Sequence, residues 1–459
     1  MEEASQIGIE REFDGSTLGD ARRQSRLKLM VRSMSIDPTA SIPTATKTEA
    51  AREAAYRLLR NEAVSMDGIL AGHYEQTAER AALEPVVLAV HDTSIFKFEG
   101  EEARAGLGPT HGGQGFYGHF TLLVAPGEAR RPLGVIALQK WTRPVGGQEK
   151  QKKRGQSLEA SRWKNGAALA EERVGQRCSL IHVMDREGDS YDLWAELIAA
   201  KSRFVIRNSK NRTLADGSSL VDSVAGAKVV VEREVRLSRR AKSTKVDNRK
   251  QAQSRAGRMA RLALSAQTVH VRRPVHCLQE LPATLTINFV HVQEVGTNGK
   301  ETPVDWMLAT TEPIDTVEQI ERIVDIYRSR WVIEDYFKSL KTGCEYEKRQ
   351  LESEHTLSNA LAIFVPIAWQ LLLFRSMSRD SAEAPASEAL SSTQLEVLVA
   401  ISKGKLPTLP TMRQALLAVA GLGGHIKNNG EPGWLVLGRG FQYLLVLVEG
   451  WKAAKRSDQ

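Results

Sequence analysis

Tyr327, Arg330, Glu334 and Lys341 carry the residue types and the spacing of a site that handles phosphate. The stretch Tyr327–Lys341, YRSRWVIEDYFKSLK, holds neither Pro nor Gly, so one continuous helix is the expectation. At roughly 100° per residue, all four side chains fall within about 60° of arc. One turn upstream the same face is apolar, with Ile320, Ile323 and Val324. The helix thus enters as a core element and leaves as a polar surface. A carboxylate flanked by cations suits a bound metal ion beside a phosphodiester, the metal taking the carboxylate oxygen and the Arg and Lys taking the phosphate. The same pattern also reads as a solvated helix with i,i+4 ion pairs, Arg330 with Glu334 and Glu334 with Lys338.

Two further carboxylates stand where strands are expected to end. Pro85–Asp92 and Leu180–Asp185 are apolar runs, each closing on an aspartate. Strands over Phe116–Val124, Leu133–Lys140 and Arg203–Arg207, with helices over Leu158–Gly175 and Tyr191–Ala200, give the order β-β-β-α-β-α-β. If the first and fourth strands are parallel neighbours, Asp92 and Asp185 meet at one edge of the sheet. With Glu334 they make three carboxylates and no histidine cage, a donor set for Mg²⁺ or Mn²⁺. Two such ions can clamp a phosphodiester. The chain has no HExxH, GxSxG or P-loop. Its glycine-rich segment, Gly106 to Gly115, reads as a flexible loop that precedes a strand and not as a phosphate cradle.

The remaining chain must position these groups. Its 459 residues, 42% hydrophobic and 26% charged, suit a globular protein of several domains. A net charge of +8 makes a polyanionic partner plausible. Cys178, Cys277 and Cys344 have no zinc spacing, so a reducing compartment and no structural zinc are expected. The first residues show no signal-peptide pattern, and the apolar run Ala360–Phe374, interrupted by Pro366, reads as a buried helix. At the N-terminus, Asp20 can cap a helix carrying Arg22, Arg23 and Arg26, and a second helix is expected over Lys47–Asn61, after a loop at Ser35–Thr46. Residues 208 to about 305 read as a β-rich insertion. It has strands at Val229–Leu237, Arg261–Val271, Ala283–Val292 and Val304–Thr310, and a basic run from Arg239 to Arg258 that can track phosphates. Arg379–Ser392 reads as a linker to a helical end piece.

On these residues the chain resembles the bacterial cut-and-paste DDE transposases of the insertion-sequence-four group, the Tn-five transposase-like proteins. The group's signature of Tyr, two residues, Arg, three residues, Glu, six residues, Lys is present as Tyr327, Arg330, Glu334 and Lys341, with Trp331 and Thr342-Gly343 beside it. HDTS at 91–94 and MDREGD at 184–189 resemble its two aspartate blocks and assign Asp92 and Asp185; Asp189 and Asp192 fall outside that match, and Glu187 reads as a supporting acid. Leu18-Gly19-Asp20 with Arg22-Arg23, and Ala55-Tyr56-Arg57 with Asn61, resemble its DNA-binding region. The closing PGW and EGW resemble its C-terminal part.

The resemblance implies an α/β, RNase H-like catalytic core, a mixed five-stranded sheet with helices, interrupted by the β-rich insertion. It divides the chain into a helical DNA-binding domain (1–65), the DDE domain (66–378) and a helical dimerisation domain (379–459). It implies Asp92, Asp185 and Glu334 as catalytic metal ligands for Mg²⁺, with Mn²⁺ able to substitute. It implies DNA contacts from Tyr327, Arg330, Lys341, Lys338, Arg22, Arg23 and Arg26, and a flipped base stacked on Trp306, whose alternative is a core position. The partners implied are double-stranded transposon ends and target DNA, bound by a homodimer in the bacterial cytoplasm. The steps implied are nicking, hairpin formation, reopening and strand transfer. An RNase H-like nuclease without strand transfer, and a catalytically silent DNA-binding derivative, are the competing readings.

Overall fold

The computed structural model describes residues 9–36, 38–46, 48–100, 102–127, 130–144, 158–237, 257–296, 303–426 and 430–457. In chain order its elements are α1 (Ala21–Ile36), α2 (Ile42–Ala45), α3 (Glu49–Arg60), α4 (Met66–Ala81), β1 (Val86–Phe98), β2 (Gly108–Thr110), β3 (Gly113–Val124), β4 (Pro132–Trp141) and α5 (Leu158–Val174). There follow β5 (Ser179–Met184), α6 (Tyr191–Ala199), β6 (Arg203–Asn208), α7 (Leu220–Ala225), β7 (Val229–Leu237), β8 (Arg258–Arg272), β9 (Thr284–Val295), β10 (Asp305–Thr310) and α8 (Val317–Arg328). The chain closes with α9 (Trp331–Lys338), α10 (Glu354–Asp380), α11 (Ser392–Ile401), α12 (Met412–Leu422) and α13 (Trp434–Ser457). The chain divides into two compact units, Met1–Ser179 with Trp331–Gln459, and Leu180–Arg330.

In the first unit, β1 pairs antiparallel with β3, which pairs in turn with β2 and β4. The sequence places Asp92 at the end of the first strand; the structure corrects this. The β1–β3 ladder runs unbroken from Leu88 opposite Val124 to Phe98 opposite Gln114, with Asp92 opposite Phe120 in the middle. The reason is that Asp92, Ser94, Phe96 and Phe98 keep the two-residue alternation, so the apolar face continues beyond the carboxylate.

The buried centre of this unit is α10. It packs on α3, α4, β4 and α12. Asn359 donates to Leu59 O and Val64 O, tying down the end of α3, and Trp369 Nε1 donates to Pro132 O at the start of β4. The segments 1–65 and 379–459 both fall within the first compact unit. By length and composition α10 could cross a membrane, but its most apolar window is wholly buried in the protein. Over 66–81, where the sequence suggests no element, α4 forms behind the cap of Ser65 and buries most of its length. Within the expected loop at 35–46, a short helical turn, α2, forms behind the cap of Ser41.

A buried ion network fixes the N-terminal turn to this body. Glu12, 1% exposed, accepts from Arg80 Nη1 and Nη2 and pairs with His73 Nδ1. His73 Nε2 accepts from Val135 N, so both ring nitrogens are engaged. Gly72 permits the approach, since a Cβ there would stand 2.8 Å from Glu12 O.

The second unit is a mixed sheet in the order β5-β6-β10-β9-β8-β7. Only β5 and β6 run parallel among these pairs. The four strands expected in the insertion are all present, and β10 pairs with β6, so the insertion returns to the sheet by strand pairing. Most of the basic run from Arg239 lies outside the described residues; its last member, Arg258, begins β8 and pairs with Glu294.

The continuous helix expected over Tyr327–Lys341 is replaced by three pieces. α8 ends at Arg328, where Ser329 N and Oγ both donate to Asp325 O and Arg330 N donates to Tyr327 O, tightening the last turn. α9 begins at Trp331, and a π-helical turn follows over Ser339–Gly343. The break needs no Gly or Pro because a serine hydroxyl and 3₁₀-type bonds satisfy the freed carbonyls.

Burial raises the Glu12 carboxyl, but Arg80 and His73 outweigh it and hold the group at about 2 instead of 4.5. A depressed carboxyl stabilises the fold above its unfolded value and loses that contribution as pH falls through its folded one. Glu12→Gln is expected to lower stability at pH 7 by about 3 kcal/mol. It should also flatten the acid limb of the melting temperature between pH 4.5 and 2, read by calorimetry against the wild type.

Candidate active site

In the first unit, Asp92 and the helix bearing Glu334 meet at one side chain. Residues directly opposite in an antiparallel pair share a sheet face, so Phe120 stands beside Asp92 on the same face. Onto Phe120 pack Phe337, with ring centroids 5.4 Å apart, and Tyr336, at 5.8 Å, both from α9. Glu334 precedes Phe337 by three residues and lies on the same side of α9. α9 is in turn fastened to α10, where Tyr336 Oη donates to Val365 O and Ser339 Oγ to Ala368 O. Both acids are half-buried.

Lys341 reaches the same strand. Its Nζ donates to Ile95 O, stands 3.4 Å from Glu347 Oε1 and lies 5.2 Å from the centroid of the Phe96 ring. Asp92, Ser94 and Phe96 alternate onto one face, so Lys341 and Asp92 flank the same surface of β1. Lys338 is exposed and pairs with Asp335 at 2.8 Å.

In the second unit, Asp185 follows the last residue of β5 as expected. Its Oδ1 accepts from Glu187 N at 2.8 Å, capping the turn Arg186–Gly188. Asp185 lies within electrostatic reach of Tyr327. Burial raises the Tyr327 phenol, Arg330 and Arg207 pull it back, and Asp185 adds to the rise. Burial lowers the Arg207 guanidinium; Tyr327 opposes this, while Arg186 and Arg330 add to it. Tyr327 thus lies within electrostatic reach of Arg330, Arg207 and Asp185, and Arg207 within reach of Arg186 and Arg330. Arg186 and Arg207 are absent from the sequence-derived site. Arg186 sits inside the aspartate block MDREGD, and Arg207 is one of two arginines in the strand RFVIRN, a signal too common to single out.

Trp306 is 8% exposed and packs edge-on against Tyr327, with centroids 5.3 Å apart, so in this structure it is a core side chain. Asp189 is a structural acid. Its carboxylate accepts from Ser209 N, Ser209 Oγ, Lys210 N and Arg212 Nη2. In the N-terminal segment, Asp20 Oδ1 accepts from Arg22 N at 2.7 Å, capping α1 as expected. Arg22 and Arg26 are exposed one turn apart, while Arg23 is half-buried and donates to Leu18 O.

Carboxylate oxygens are the donors that hard divalent cations take. Among the described residues, no group of three or more His, Cys, Asp or Glu stands close enough together to hold a metal ion. Asp92 and Glu334 belong to one unit and Asp185 to the other. Cys178, Cys277 and Cys344 are buried free thiols.

Comparison with known families finds two matches. Residues 8–64 match the family described as transposase DNA-binding, and residues 172–365 match the family described as transposase DDE domain. The first match contains Arg22, Arg23 and Arg26; the second contains Asp185, Trp306, Tyr327, Arg330, Glu334 and Lys341. Asp92 lies outside both. The chain thus carries a transposase DNA-binding domain and a DDE transposase domain.

The two aspartates of the MDREGD segment should separate in a urea titration. Asp189→Ala leaves Arg212 buried without its carboxylate and is expected to cost about 3 kcal/mol. Asp185→Asn keeps the cap on the turn and should stay within about 1 kcal/mol of wild type.

Proposed function

We propose that this chain, a DDE-type transposase by its two domains, is a cut-and-paste enzyme of the insertion-sequence-four group. The observation that carries the reading is the placement of Asp92, the Glu334-bearing helix and Lys341 on one face of β1, together with the family matches that include Glu334 and Asp185. Asp92, Asp185 and Glu334 would be the carboxylate ligands of Mg²⁺, or of Mn²⁺ in its place, in the DNA-bound enzyme. A divalent ion bound there supplies activation of the attacking oxygen and neutralises charge on the leaving one.

The protein's own groups do the positioning. Arg186, Arg207, Arg330 and Tyr327 hold one phosphate of the transposon end, and Lys341 holds the phosphate next to Asp92. In the first step, water attacks phosphorus and the bond to the 3′ oxygen breaks, leaving a 3′-hydroxyl and a 5′-phosphate. That hydroxyl attacks the opposite strand to close a hairpin, and water reopens it. The freed 3′-hydroxyl then attacks target DNA, each step exchanging one P–O bond for another. Arg22 and Arg26 contact the end duplex from α1, and a homodimer pairs two ends through the helical C-terminal segment. The base-stacking role of Trp306 requires its ring to be uncovered and is proposed for the DNA-bound protein alone.

The test uses the inverted repeats flanking the protein's own gene as substrate. Asp92→Ala, Asp185→Ala and Glu334→Ala should each lower Mg²⁺-dependent nicking by at least about 10³-fold while end binding in a gel-shift assay stays within about threefold. Full nicking by Glu334→Ala would overturn the assignment. Joined products with a target plasmid separate transposition from simple nuclease action.

A further inference from the structure

The proposed reaction gives no role to Glu347, an acid of the first unit. Glu347 lies six residues past Lys341, outside the signature spacing, in the 3₁₀ turn Tyr346–Lys348. Its Oε1 accepts from Lys97 N of β1 at 2.9 Å and stands 3.4 Å from Lys341 Nζ. One carboxylate therefore ties the ammonium to the strand that carries Asp92. Resting on the transposase reading, we propose that Glu347 is a positioning residue that fixes the Lys341 ammonium on β1 for phosphate binding.

The turn around Glu347 is held on both sides. Tyr346 is fully buried, meets Phe96 and Phe98 edge-on at 5.3 and 5.7 Å, and donates its hydroxyl to Leu357 O. Arg349, 5% exposed, donates to Ala40 O, Pro38 O and Cys344 O and lies over Phe364. Glu345 takes a left-handed backbone conformation, φ 48°, to enter the turn. A flexible lysine loses several rotatable bonds' worth of freedom on binding phosphate. Holding its ammonium in place beforehand moves that cost into folding. A surface ion pair would do this poorly, but here the acid also caps a backbone N–H of the strand and the two side chains are only 30% and 24% exposed. The charge on Glu347 is what acts on Lys341, whereas its bond to Lys97 N needs only an acceptor oxygen. The two roles are therefore separable by one substitution.

The experiment is a double-mutant cycle on single-turnover nicking of the flanking-repeat DNA, with thermal melting of every variant. Glu347→Gln keeps an acceptor for Lys97 N and should melt within a few degrees of wild type. It should slow nicking about tenfold when Lys341 is present, and by about twofold or less in a Lys341→Met background. Glu347→Asp, which keeps the charge, should recover part of the rate. An equal loss from Glu347→Gln in both backgrounds, or no loss in either, overturns the positioning role while leaving the transposase reading intact. A wild-type protein that does not nick overturns both.

Discussion

The packing of Phe120 between β1 and α9 is the constraint on which the first unit's chemistry depends. Phe120 is fixed by strand register opposite Asp92 and is capped by Phe337 and Tyr336 from the helix of Glu334. Each aromatic pair contributes about 1 kcal/mol beyond the area it buries, which is modest. The register contributes more to geometry than to energy: a slip of one residue would turn Asp92 to the opposite face of the sheet. The long unbroken ladder between β1 and β3 makes such a slip costly, and α10 holds α9 from behind through Tyr336 and Ser339. Two acids far apart in sequence are thereby aimed from rigid elements instead of loops.

The second unit solves a different problem, the concentration of positive charge without loss of fold. Arg186 and Arg330 both act on the partly buried Arg207 guanidinium, an effect that the Tyr327 phenol opposes, and Tyr327 in turn feels Asp185. Guanidiniums tolerate this because they stay charged when partly buried and are weakly hydrated. The nearby Asp189 shows the contrasting case. It is saturated by backbone and side-chain donors and is buried, so it can hold the turn but has little to offer an ion.

Much of this was legible in the residues, because strand alternation and terminal carboxylates leave a local signal. The longer strands of both units, the cap at Asp20, the buried α10 and the position of Asp185 follow from pattern alone; β2 does not, because it falls in the glycine-rich stretch. Three further features did not. Asp92 reads as a strand end because a charged residue after an apolar run usually marks one, yet the alternation through Phe98 outweighed it. The break at Ser329–Arg330 leaves no Gly or Pro because it is made by a hydroxyl bond to Asp325. The contacts of α3, α4 and α12 with α10 are long-range, and no local composition records them. Arg207 was hidden for the same reason: its partners come from distant segments.

The central claim is that Asp92, Asp185 and Glu334 act together as the ligands of a divalent ion. It is tested most directly by titrating Mn²⁺ into the protein bound to its own end DNA and counting bound ions by electron paramagnetic resonance. Saturable binding that is lost when any one of the three acids is replaced by its amide is the predicted result. Unchanged Mn²⁺ binding by Asp185→Asn or by Asp92→Asn would contradict it.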